Sequence, residues 1–364
     1  MLYLVALYYG DYCYIVPYLI FFIMIWLFFI RSNFMNTRVR ASSKDNLTPS
    51  TVIKKQHYSV FINWSLIHLC LLYICIYSTK GVSKTFLWNQ FYLSNFVLNI
   101  TNLILLLLIL MFMLFKTLTN NNVNYSTDFF FSILNVTIFL SLIFYTNTIF
   151  SFIFILELNS ISIFYKFVTS RYWYKNNDSL EPDKSDIVNK NVPKNYLNML
   201  FFQYWSTFFS SILIFFSLCN IYSLYGSSEF FAVDLLNWIA SNTQYNNTRF
   251  ILIIWVPLIL GILIKIGITP FHLFKIEVYK GLPLVSILFY TTFYFFVYFI
   301  FFVLFLSVHL TFIKIIITSL FYISIILGLL YIVSLLFDIT ALKSFFAYST
   351  IINSLLFITA SILL

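Results

Sequence analysis

Apolar runs of membrane-crossing length follow one another along almost the whole chain, and this restricts the fold more than any other feature. A hydrocarbon core of about 30 Å takes about 20 apolar residues of helix. Stretches of that size occur at roughly 8–30, 58–78, 90–115, 128–147, 149–169, 197–224, 250–269, 284–307, 311–337 and 344–363, so ten spanning helices are predicted. Only 9% of the 364 residues are charged and 61% are hydrophobic, against about 25% and about 45–50% in a soluble domain. There are too few polar groups to clothe a water-soluble core. Disorder is excluded because it needs low hydrophobicity and high charge. An outer-membrane β-barrel is excluded because its strands alternate polar and apolar residues. The expected class is an all-α membrane protein.

The charges that remain orient this bundle. With the N-terminus outward, fifteen Lys and Arg residues fall in the inner loops 31–57, 116–127, 170–196, 270–283 and 338–343, Lys275, Lys280 and Lys343 among them. Four, Lys80, Lys84, Arg249 and Lys314, fall outside. This is the asymmetry of the positive-inside rule, and it accounts for the net charge of +9 without nucleic acid, whose binding requires a soluble basic surface. The polar loops 31–57 and 170–196 read as solvated linkers or docking surfaces for accessory partners. Cys13, Cys70, Cys75 and Cys219 are scattered without ligand spacing, so no metal, haem or disulfide framework is implied. The N-terminus lacks a basic region and a small-residue cleavage site, and no cleaved targeting peptide is expected. Abundant Phe, Tyr, Ile and Asn fit an AT-rich, organelle-encoded gene.

Ionisable residues inside spans need a reason, because each costs at least about 2.5–3.5 kcal/mol at mid-membrane. For Asp11 and His68 a hydrogen bond to a neighbouring helix suffices, and Lys166 lies near an inner end where it can snorkel. Glu157 and Lys265 sit deep in their spans with no charged neighbour within a helical turn. Together they can compensate one another. Pro270 removes a backbone donor and clashes with the carbonyl four residues back, while Gly267 adds flexibility. A helix broken at that depth is tolerated only where its carbonyls face protein or a hydrated cavity, so Lys265 is expected to touch water. Burial disfavours the charged form of both groups, which brings the pair into a range where a proton is exchanged. A static ion pair holding two helices is the plainer reading.

Lys265-Ile266-Gly267-Ile268-Thr269-Pro270-Phe271-His272-Leu273-Phe274, followed by Glu277-Val278-Tyr279-Lys280-Gly281-Leu282-Pro283, resembles the K-x-x-x-x-P-F-H-x-W-x-x-[DE]-V-Y-x-G-x-P signature of the subunit 2 family of NADH dehydrogenase, the antiporter-like membrane subunits of respiratory complex I. The stretch Thr148–Tyr165 around Glu157 is similar to the family's L-x-L-F-L-x-L-E-L-x-S-L-x-x-Y span. Ala341–Ile351 resembles its A-x-x-x-x-x-K-R-x-x-A-Y-S-S-I segment. Phe271 and Val278-Tyr279-Lys280-Gly281 favour subunit 2 over the related subunits 4 and 5.

The resemblance implies an antiporter-like fold with a broken seventh helix, in which Glu157 and Lys265 gate proton loading. It divides the chain into N-terminal helices over 1–127, a first antiporter-like repeat over 128–283, and helix eight with the start of a second repeat over 284–364. It places the chain in the mitochondrial inner membrane as a core subunit of proton-pumping NADH:ubiquinone oxidoreductase, with no redox centre of its own. NADH, FMN, iron–sulfur clusters and ubiquinone are used elsewhere in the complex, and no cofactor is bound here. Lipid and the other membrane subunits are the expected partners.

Three departures matter. The family tryptophan is Phe274 here. Position 295, where the family has a relay lysine, is Phe295, and only tyrosines are ionisable from Gly281 to Val308. The relay then runs through water with Thr291, Thr292 or tyrosine hydroxyls, comes from another helix, or is lost. The family has fourteen helices, so a separate chain supplying the C-terminal ones is expected. His272 either passes protons or is a structural histidine, Lys343 either continues the polar axis or is a loop lysine, and Tyr348 and Ser349 are read as packing. The alternative function is a degenerate scaffold that stabilises the membrane arm without pumping. A solitary antiporter is disfavoured because the chain is incomplete as an inverted repeat.

Overall fold

The computed structural model describes Ile23 and residues 50–78, 84–86, 89–119, 127–169, 191–242, 248–269, 271–291, 295–309, 314–336 and 342–363. The predicted span 8–30, apart from Ile23, lies outside them, as do Asp11, Pro270, Thr292, loop 31–49 and residues 170–190. The chain is an all-α membrane protein with an antiporter-like fold and one short β-hairpin. Its described helices are α1 (Ser50–Ser78), α2 (Asn95–Thr119), α3 (Thr127–Ile143), α4 (Ile149–Thr169), α5 (Asn191–Tyr225), α6 (Phe230–Asn242), α7 (Thr248–Ile266), α8 (Leu273–Gly281), α9 (Leu284–Phe289), α10 (Phe295–His309), α11 (Lys314–Leu336) and α12 (Leu342–Leu363). Three described segments are by themselves long and apolar enough to cross a membrane: Asn95–Leu114, Ile149–Thr169 and Asn195–Tyr225.

Two compact units divide the chain. The first contains residues 1–145 and 161–181. Strands β1 (Lys84–Phe86) and β2 (Phe91–Leu93) pair antiparallel there, with Thr85 opposite Tyr92. The predicted span 90–115 therefore begins as a strand. The turn is made by Asn89 at φ 63°, a left-handed conformation that asparagine tolerates better than most residues. Ser94 caps α2 by accepting from the amide of Val97 at 3.2 Å, which supplies one of the partners a helix start lacks. Leu98, Ile104, Leu105, Leu108 and Phe112 of α2 are buried, while Phe96, Leu103, Leu106, Leu110 and Met113 are exposed. A helix apolar on its outward side as well suits a lipid surround. Lys166, expected to snorkel, is instead buried at 1% exposure. It shares a helical face with the buried Ile163 and Phe167, and that face turns inward. His68 donates to the carbonyl of Trp64 in its own helix at 2.8 Å, not to a neighbouring helix.

The second unit contains residues 146–160 and 182–364. Thr148 caps α4, its hydroxyl accepting from the amide of Ser151 at 3.1 Å. The start of α4 is joined to the start of α6 by two backbone bonds, Ile149 N–H to Ser228 O at 2.8 Å and Phe230 N–H to Asn147 O at 3.1 Å. The 35-residue helix α5 is the rail of this unit. Helix α7 crosses it at Gly261, where a Cβ would stand 2.5 Å from Ile214 Cγ1 and where Ser210 donates to the Gly261 carbonyl at 2.8 Å. Helix α8 meets it at Gly281, where a Cβ would stand 2.5 Å from Met199 Cβ. Those contacts are separated by about 15 residues of α5, or about 22 Å of helix. Helices α7 and α8 are thus two pieces of one antiparallel partner of α5, with the break between them.

Within the predicted span 284–307 the described residues form α9 and α10, with residues 292–294 outside them. Tyr290 and Thr291 form a π turn at the end of α9, and the Thr291 hydroxyl donates to the Leu288 carbonyl at 3.0 Å. Such back-bonding loosens a helix.

Candidate functional site

Gly267 ends α7 by its backbone conformation. Its φ of +74° is a left-handed value that costs a side-chain-bearing residue roughly 1–2 kcal/mol. Its amide donates to the carbonyl of Ile264 at 3.1 Å, and the Ile268 amide donates to that of Leu263 at 3.2 Å. This is a Schellman cap. It satisfies two of the carbonyls that a helix end leaves open, and it needs nothing from Pro270, which lies outside the described residues. Lys265 therefore occupies the last turn of a capped helix, where the negative end of the backbone dipole favours an ammonium.

Glu157 on α4 and Lys265 on α7 meet at 2.6 Å between Lys265 Nζ and Glu157 Oε1. The lysine side chain is 2% exposed and the glutamate 36%. The same Oε1 accepts from the Ser211 hydroxyl of α5 at 2.8 Å, and Oε2 lies 3.2 Å from the Ser160 hydroxyl. The carboxylate thus has one cation and two hydroxyls on its two oxygens. Each serine is also within reach of a carbonyl of its own helix, Thr207 for Ser211 at 2.7 Å and Glu157 for Ser160 at 2.8 Å. Its proton can therefore turn from the carboxylate to the backbone when the carboxylate gains one. Ser160, one helical turn after Glu157, was accessible to helical periodicity; Ser211, on a different helix, was not.

The break itself is packed. Thr269 is buried and lies directly against Gly328 of α11, where any Cβ would overlap the threonine side chain. His272 is buried at the entrance to α8, its ring edge-on to Tyr331 at 5.5 Å. Lys275 differs from expectation. Read as a solvated inner-loop lysine, it is wholly buried, with its Cδ 3.1 Å from where a Cβ on Gly267 would stand. Its alkyl stem fills the space that the glycine leaves. Lys280, on the opposite side of α8, is exposed and pairs with Glu277 at 2.6 Å. Lys343 is half-buried, with Nζ 3.5 Å from the Lys280 carbonyl. The Thr291 hydroxyl is hydrogen-bonded to its own helix.

Among the described residues no group of three His, Cys, Asp or Glu side chains is placed to hold a metal ion. What the assembly offers chemically is an acid–base pair with its lysine buried and its carboxylate partly open, held by three hydrogen bonds at the end of an interrupted helix.

Residues 190–362 match the family described as NADH:quinone oxidoreductase/Mrp antiporter, TM. Lys265 lies inside the matched stretch and Glu157 before it. The chain is similar to an uncharacterized mitochondrial protein, ORF4, of Paramecium tetraurelia, at 34% identity over 86 residues, 23% of this chain and 55% of the relative. Its fold resembles that of a chain in respiratory complex I from Thermus thermophilus, with TM-score 0.56 and 15% identity over 83% of this chain and 58% of the other. It also resembles a chain of an archaeal respiratory membrane complex, the membrane-bound sulfane sulfur reductase, with TM-score 0.62 and 13% identity over 95% of this chain and 63% of the other. The chain thus spans between half and two thirds of the length of each.

Proposed function

We propose that this chain is a proton-translocating, antiporter-like membrane subunit of a NADH:ubiquinone oxidoreductase in the mitochondrial inner membrane, and that Glu157 and Lys265 form its proton-loading site. The observation that carries the reading is the 2.6 Å pair at the capped end of α7. The family matched by residues 190–362 and the mitochondrial relative support it.

In the resting arrangement the ammonium of Lys265 donates to the carboxylate of Glu157. Transfer of one proton from Nζ to Oε1 leaves an amine and a carboxylic acid in contact, with no change in total charge. The ion pair is favoured while polar contacts surround it, and the neutral pair once they withdraw, because a low-dielectric surround penalises separated charges most. On this reading the partly exposed glutamate is the group that exchanges a proton with its surroundings, and the buried lysine is the group that passes charge inward. A movement of α7 at its break during quinone reduction elsewhere in the complex would switch between the two. NADH oxidation, the flavin, the iron–sulfur clusters and ubiquinone belong to other subunits, and further membrane chains are its partners.

The test is Lys265→Met in the assembled complex, with protons moved per NADH oxidised as the readout. A lower yield at intact assembly is expected. An unchanged yield would leave the scaffold role, which the near-complete burial of Lys265 in a fixed contact would equally serve.

A further inference from the structure

Helix α6 is too short to cross a membrane, and its connections keep it at the edge of one. Its 13 residues span about 20 Å, against a hydrocarbon core of about 30 Å. It joins the end of α5 to the start of α7, which runs antiparallel to α5, so both of its ends lie at one membrane boundary. Gly226 ends α5 at φ 66°, a left-handed value common for glycine at a helix end. The chain then runs beside the start of α4. Thr148 forms a β-bridge with Glu229, flanked by the backbone bonds of Ile149 to Ser228 and of Phe230 to Asn147. The inward side of α6 is packed: Phe230 and Val233 are buried, and the Phe230 ring meets Phe152 of α4 at 6.5 Å and Phe305 of α10 at 5.8 Å, edge-on in both cases. The other side carries Phe231, Leu235, Trp238 and Ile239, each between 44% and 76% exposed. They recur at i, i+4, i+7 and i+8, which is one face of a helix. At a membrane boundary such a stripe faces either acyl chains or another protein, and two observations favour lipid. Exposed apolar side chains already cover the adjoining last turns of the spanning helix α5, at Tyr222 and Leu224, so α6 prolongs a surface of that kind. The stripe also holds an indole, whose apolar body and polar N–H suit the headgroup level. Asp234 is the only charged residue between Phe230 and Asn242, so attachment rests on apolar area and not on charge.

We propose that α6 is an interfacial anchor, with Phe231, Leu235, Trp238 and Ile239 bedded in the acyl chains just below the lipid headgroups. The ligand is the bilayer, and seating four large apolar side chains in it removes them from water. Because the start of α6 is bonded to the start of α4 and Phe230 packs on Phe152, the anchor also holds the first turn of the helix that carries Glu157. It requires that the chain spans a membrane and does not depend on the proton-loading reading above.

The experiment places the assembled complex in phosphatidylcholine vesicles doped with phosphatidylcholine that carries a diazirine at the headgroup end of one acyl chain. Light expels dinitrogen, the carbene inserts into the bond lying against it, and mass spectrometry of the digested chain locates the adducts. Acyl adducts are expected on Phe231, Leu235, Trp238 and Ile239 and not on the buried Val233, with the exposed Phe96 of α2 and Tyr222 of α5 as internal standards. Leu235→Asp combined with Trp238→Asp is expected to abolish the adducts at Phe231 and Ile239 while those at Phe96 and Tyr222 remain. If that variant does not assemble, Leu235→Ser alone is expected to lower them. A stripe without adducts while Phe96 and Tyr222 are labelled, as a covering protein chain would leave it, overturns the anchor. Adducts at Phe231 and Ile239 that persist unchanged through every one of these substitutions overturn it as well.

Discussion

Two glutamate–lysine pairs in the same unit have the same 2.6 Å contact, but one lysine is buried and the other exposed. Glu157–Lys265 joins two helices with its lysine 2% and its glutamate 36% exposed, whereas Glu277–Lys280 lies on one helix, three residues apart, with its lysine 41% and its glutamate 29% exposed, so the difference lies in the lysines. Distance alone says nothing about what a pair does. At the surface, water already solvates both charges and the pair adds little. In the interior, each charge depends on the other and on the serines around it. Only there does moving one proton change the energy of a site whose cation is withdrawn from water.

The largest expected effect comes from breaking the interior pair on one side. Glu157→Gln leaves the buried ammonium of Lys265 without its counter-charge, and a loss of about 3–5 kcal/mol is expected, read as a lower unfolding temperature or reduced assembly. Glu157→Gln combined with Lys265→Met should recover most of that stability, since an apolar replacement of a buried pair is close to neutral, without recovering proton movement. This separation of stability from pumping is what a purely structural pair would not show.

Gly267→Ala comes next. A side chain at φ +74° costs roughly 1–2 kcal/mol, and its Cβ would also press on Phe274 Cζ and Lys275 Cδ at 3.1 Å. Reduced thermal stability and a lower proton yield together are expected, because the turn that ends α7 also aims Lys265. Ser211→Ala removes one of the hydrogen bonds to the Glu157 carboxylate, a contact to a charged group worth about 1.5–3 kcal/mol when its partner is buried and less at a site this open. The expected sign is a modest destabilisation. Glu277→Gln should be the smallest, within about 1 kcal/mol and diminishing with added salt. A larger effect there would erase the contrast between the two pairs.

The two pairs also mark what could be read from the chain alone. Glu157 and Lys265 stood out because a charge deep in an apolar run is costly, and that cost is visible in sequence. The helical class followed from the same apolar runs. Lys275 did not stand out: a lysine between two spans counts toward the positive-inside balance whichever way its side chain points, and its burial depends on the space above Gly267. The π turn at Tyr290 and Thr291 was hidden because it leaves the hydropathy of the run unchanged. The hairpin before α2 was hidden because three-residue strands are too short for a period of two to register.

The central claim is that Glu157 changes protonation state during turnover. Infrared difference spectra of the assembled complex, recorded as NADH is added, read this directly. The account predicts a carboxylic-acid carbonyl band that rises and decays with turnover and is missing from Glu157→Gln. A spectrum in which Glu157 stays a carboxylate throughout turnover, with no band altered by that substitution, would contradict it.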